Sequence, residues 1–124
     1  MTDKEWVQIK YFKKSEFDCK CGCGLNNMSK EFVGWLEFVR TVLDAPIIIT
    51  SGSRCQTHNN SVGGSKTSPH LNGLAADIKV INSRMRSRII SSISASYIHR
   101  VGIGKNFIHV DMDESKTQNV MWVC

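Results

Sequence analysis

The sequence predicts an α+β fold, a small single domain over residues 1–124 with helices packed on a mainly antiparallel sheet. Two stretches carry apolar residues at helical spacing, within 29–43 and 83–95. Four shorter runs rich in β-branched residues read as strands: 47–50, 74–81, 100–104 and 107–112. Gly104-Lys-Asn joins the last two as a hairpin-like connection, which favours antiparallel pairing. A chain of 124 residues can bury a modest core without dividing.

Taken in order, residues 4–12 mix Trp6, Val7, Ile9, Tyr11 and Phe12 with lysines and read as a short strand or a docking arm. Ser15 to Gly24 reads as an irregular turn region, punctuated by Gly22 and Gly24. The first helix starts behind Ser29 as N-cap and carries Phe32, Trp35, Leu36, Val39 and Leu43 on one stripe. Pro46 ends it, because the residue before a proline avoids the helical region. Ile47 to Thr50 reads as a buried strand. Residues 54–69 are rich in Ser, Asn, Thr and Gly and read as a long surface loop. Leu74 to Ile81 is the second strand. Asn82 or Ser83 caps the second helix, with Met85, Ile89, Ile90 and Ile93 inward. Arg84, Arg86 and Arg88 then form a solvated face. His99 reads as an incidental strand residue. The tail from Asn119 to Cys124 packs as a final strand.

Charge and cysteine content narrow the function classes. The formal charge is +5, with basic residues spread along the chain and no tight Lys/Arg block. Such a field attracts polyanions in general, but no nucleic-acid motif is present, and nucleic acid is not an expected partner. No run is long and apolar enough to span a bilayer. Met-Thr-Asp-Lys-Glu-Trp is not followed by an apolar run, so no signal peptide is read there. Of the five cysteines, Cys19, Cys21 and Cys23 alternate, Cys55 stands apart and Cys124 is terminal. The alternating run can hold a structural zinc with Cys55 as the outside ligand, or form a disulfide with it, or stay as free thiols. Thiols or one disulfide are expected ahead of a second metal. A nucleophilic role for Cys21 or Cys55 would need a positioned base, and none is legible.

The chemistry concentrates at Ser68-Pro-His70-Leu-Asn-Gly73-Leu-Ala-Ala-Asp77 and Phe107-Ile-His109-Val-Asp111. Each residue alone reads as an ordinary polar group at a strand end. Together, in apolar surroundings, they need partners. Two imidazoles and a carboxylate match the ligand set of a catalytic zinc ion. His109 and Asp111 are two apart on one strand and so share a face of the sheet.

Ser68-x-His70, Gly73, Ala75, Asp77 and His109 resemble the M15 peptidase family, which includes zinc D-Ala-D-Ala carboxypeptidases and phage endolysins. Ile49-Thr-Ser-Gly-Ser-Arg54-Cys-x-x-His58-Asn59 and Val62-Gly-Gly64 resemble it too, in the family's order, so the likeness runs over residues 12–113. It implies the fold M15 peptidases share with Hedgehog-like domains. It also implies a Zn2+ cofactor held by His70, Asp77 and His109, and hydrolysis of peptidoglycan stem peptides. Arg54 falls where the family has an arginine beside the site, suited to a substrate carboxylate or an oxyanion; a surface salt bridge is the alternative. His58 falls at a position of structural support, and Ser68 either bonds near the metal or serves its turn. The cysteines take a local structural role. Many members carry an acid three residues before the third ligand. Here that position is Asn106, which leaves Asp111 as the base or as the orienter of His109. The expectation is a monomeric cell-wall hydrolase in a phage or prophage setting, delivered by other means. The competing expectation is a zinc-containing binding module of the same fold, which Asn106 favours.

Overall fold

Helix α2 (Lys30–Leu43) begins where Ser29 Oγ accepts the amide of Phe32, at 3.2 Å. It stops at Asp44, whose φ of 52° places it in the left-handed region. Its apolar stripe enters one core with Ile89 and Ile93 of α4 (Ser83–Ser94). Asn82 caps α4 by accepting the Met85 amide at 2.8 Å. The computed structural model describes residues 1–98 and 100–124, so His99 lies outside the described residues.

Among the described residues the sheet has five strands in the order β1 (Ile49–Ser51), β2 (Ala75–Lys79), β4 (Phe107–Asp111), β3 (Arg100–Ile103), β5 (Val120–Val123). All pairings are antiparallel except β3 with β5. Strand alternation splits the sheet into two chemistries. Ala76, Ile78, Val101, Ile108 and Val110 join the helix side chains in the core. Asp77, Arg100, His109 and Asp111 alternate with them and therefore take the opposite face. The predicted α+β architecture is the one observed. No helix among the described residues is long and apolar enough to cross a membrane.

Four local expectations are corrected. Residues Asp3–Val7 form helix α1, not a strand or an arm, because Thr2 and Glu5 close a capping box and Trp6 is buried. The strand expected over Ile47–Thr50 forms as β1 at Ile49–Ser51; Ile47 and Ile49 are buried, but it lies at the sheet edge and leaves Ile48 half exposed. The loop over 54–69 contains helix α3 (Gln56–Ser61), capped by Cys55 Sγ, and a 3-10 turn at Pro69–Asn72. Arg86 and Arg88 do more than solvate α4. Arg86 donates to the carbonyls of Gly104 and Lys105, and Arg88 to that of Leu43, tying the helix to the β3–β4 turn and to the end of α2.

Candidate metal centre

The pairing of β2 with β4 sets Asp77 directly opposite His109. His70 reaches the same point from the Pro69–Asn72 turn. The turn is closed by Ser68 Oγ, which accepts the His70 amide, and by Gly73 at φ 69°. A Cβ on Gly73 would collide with the Asn27 carbonyl, so both the dihedral and the close approach require glycine. One atom each of His70, Asp77 and His109 lie within 4.8 Å of one another.

Hydrogen bonds on the far side of each ligand decide what faces inward. His70 Nδ1 lies 2.7 Å from the Gly52 carbonyl, to which it can only donate. In the neutral ring this turns the Nε2 lone pair toward Asp77 Oδ1, 3.3 Å away. His109 Nε2 lies 2.7 Å from Asp111 Oδ2, which leaves Nδ1 facing Asp77 Oδ1 at 3.1 Å. Asp77 Oδ2 accepts from Arg54 Nη2 at 3.0 Å, so Oδ1 is its inward oxygen. Two ring nitrogens and a carboxylate oxygen thus converge, and such a donor set suits a divalent cation.

Electrostatics agree with this geometry. Burial works to raise the Asp77 carboxyl, but the His109 and His70 rings, when protonated on the nitrogens that face it, outweigh burial and hold it far below the usual range. Asp111 is likewise depressed: burial opposes, and His109, Arg100 and the Asp113 amide prevail. For His109 burial favours the neutral ring, while hydrogen bonds to Asp111 and Asp77 raise its affinity for a proton. A proton on His109 and a cation at Nδ1 therefore meet the same negative charge and exclude each other.

The expected residues come together as follows. His70, Asp77, His109, Asp111 and Arg54 all line one cleft of about 470 Å³. Arg54 is a largely buried partner of Asp77, not a surface salt bridge, and its other nitrogens reach Ser51 and Asn59. Asp111 is fully buried, with one oxygen on His109 and the other shared by Arg100 Nε and the Asp113 amide. His58 lies in α3, away from the cleft lining, and Asn106 is exposed in the β3–β4 turn. Cys21 is ill-suited as a nucleophile. The Cys23 amide works to lower it, but the thiols of Cys23, Cys19 and Cys55 push it up to about 12.

Two site residues were missed from sequence. Arg100 holds Asp111, and Trp122 of β5 lies 5.6 Å from the His109 ring and 5.0 Å from the Arg100 guanidinium. Gly102 stands between them in register with both His109 and Trp122, and a Cβ there would come within 2.9 Å of the indole. The spacing Arg100-x-Gly102 hinted at a shared face. Only the parallel docking of β5 brings Trp122 to it.

Comparison with curated proteins gives no significant match. A family model described as Peptidase M15 matches residues 10–111, which include every ligand and partner described above except Trp122 and Asp113. With that match running through a convergent His–Asp–His site, the chain belongs to the Peptidase M15 family.

Proposed function

We propose that the protein is a zinc metallopeptidase that hydrolyses peptidoglycan stem peptides, as a D-Ala-D-Ala carboxypeptidase or an endopeptidase. The observation that carries this is the inward convergence of His70 Nε2, His109 Nδ1 and Asp77 Oδ1, each fixed from behind by a separate partner. When bound there, zinc supplies a Lewis acid that acidifies water and polarises a carbonyl. The protein's part is positioning. The Gly52 carbonyl sets the His70 ring, Arg54 turns Asp77, and Asp111 with Arg100 sets His109. Trp122 flanks the His109 ring. A net charge of +5 favours approach to anionic wall polymers, and we place its action at the cell wall, as a monomer, after release in a phage or prophage setting.

One observation favours a second reading. Asp77 and Asp111 carry the only carboxylate side chains among the described residues lining the cleft, and both are engaged. A cleft without a free carboxylate side chain suits a zinc-containing module that binds wall peptides without cutting them. Purified peptidoglycan incubated with the zinc-loaded protein, with and without chelator, separates the two. Chelator-sensitive release of new amino groups supports the peptidase. Retention of stem peptides with no cleavage across several wall types supports the module.

A further inference from the structure

We infer that Cys19, Cys21, Cys23 and Cys55 form a second, structural metal site that takes one zinc ion as a tetrathiolate. Their four sulfurs all lie within 4.8 Å of one another, although Cys55 comes from a distant segment. Cys19 Sγ and Cys21 Sγ are 3.4 Å apart, and Cys21 Sγ and Cys55 Sγ 3.7 Å. Thiolates about 2.3 Å from a tetrahedral zinc have sulfur–sulfur edges of about 3.8 Å, whereas a disulfide needs about 2.05 Å. Both separations are far longer than a disulfide bond and close to a tetrahedral edge. The sequence offered this reading, with Cys55 as the outside ligand, but ranked thiols or a disulfide ahead of it.

The backbone around the sulfurs is shaped for this. Gly22 and Gly24 both have φ of 85°, and a Cβ at either would meet nothing within 4 Å. They are therefore required by the dihedral and not by space, and they curl the run so that its alternate side chains gather. Backbone amides donate to two of the sulfurs: Cys55 N to Cys19 Sγ at 3.4 Å, and His58 N to Cys55 Sγ at 3.3 Å. Such bonds offset the charge of thiolates, which release their protons to solvent as the metal binds. Cys21 and Cys23 are exposed, so the ion has an entry path.

The clip fastens the stretch that supports the first centre. Ser53 donates its amide to the Phe17 carbonyl, and Ser53 Oγ accepts the Asn27 amide. The segment so held carries the Gly52 carbonyl behind His70 and Arg54 behind Asp77.

The test is metal analysis of protein purified with reductant and zinc, together with cobalt substitution of the full chain. About two zinc ions per chain are expected, falling to about one in His70→Ala and to about one in Cys21→Ser/Cys23→Ser. Because the double serine variant can fail to fold, wild-type protein is also loaded with cobalt. A thiolate-to-cobalt charge-transfer band is expected in wild type and in His70→Ala alike. Nitrogen and oxygen ligands give no such band, so failure of the His–Asp–His centre leaves this result intact. The absence of that band would overturn the site. So would four thiols that react with a thiol reagent as fast as Cys124 while zinc is present.

Discussion

Asp111 is the residue on which the two functional readings part. Its carboxylate is wholly buried between His109 and Arg100, so its removal leaves a guanidinium unpaired and an imidazole unoriented. Breaking a buried pair costs about 3 kcal/mol, and loss of a partner behind a ligand weakens metal binding about 10- to 100-fold. Asp111→Ala is therefore expected to unfold at lower urea concentration and to need more zinc for saturation, measured by urea titration and by competition with a chromophoric chelator. If the enzyme reading is right, it also loses turnover while the ion is still bound. An Asp111→Ala protein with wild-type zinc affinity would show that His109 is held by its packing alone. His70→Ala removes a ligand outright and is expected to empty the His–Asp–His centre, read by metal analysis.

At the scale of elements, the turn that delivers His70 depends on Gly73. Both its φ of 69° and the collision of any added Cβ with the Asn27 carbonyl oppose a side chain. Gly63 has a φ of 74° but open space around it. Gly63→Ala is expected to cost about 1 kcal/mol from the dihedral alone. Gly73→Ala should cost at least twice as much, because backbone must also move. Equal destabilisation of the two variants in urea titrations would refute the role of that contact. The elements also show where the sequence was legible. Helical periodicity located α2 and α4 within a residue or two, since a buried stripe leaves a spaced apolar pattern. Helix α3 carries no such pattern: Gln56 to Ser61 is polar throughout and only Asn59 is buried, so nothing marked it as helical. Helix α1 was legible in principle through Thr2-x-x-Glu5, a signal outweighed by the mixed apolar and lysine run that follows.

Across the whole molecule the linked titrations make stability depend on pH and on metal. His109 binds its proton more tightly when folded. In metal-free protein its contribution is fully present below its ordinary value, about 6.5, and is lost as pH rises through the raised folded value. Asp77 and Asp111 are depressed when folded. Their contribution is present above about 3.9 and is lost as pH falls through the folded values. Metal-free protein is thus expected to be most stable in mildly acidic solution. Zinc needs the unprotonated Nδ1, so zinc loading should raise Tm more at pH 8 than at pH 5, measured by thermal melts across that range. A Tm increment from zinc that does not grow with pH would contradict competition between proton and cation at His109. By itself the sequence determined the α+β class, the two long helices and the strands that carry Asp77, His109 and Asp111, because alternation and helical spacing are written in local order. It also offered His70, Asp77 and His109 as candidate ligands, through motif resemblance. Only the tertiary structure decided that β2 pairs with β4 so that Asp77 meets His109, that Arg54 and Arg100 stand behind the two carboxylates, that Trp122 arrives from β5, and that four cysteines share one point. Those contacts join segments far apart in the chain, and which strands neighbour each other is settled by burial of the whole core, not by any local stretch.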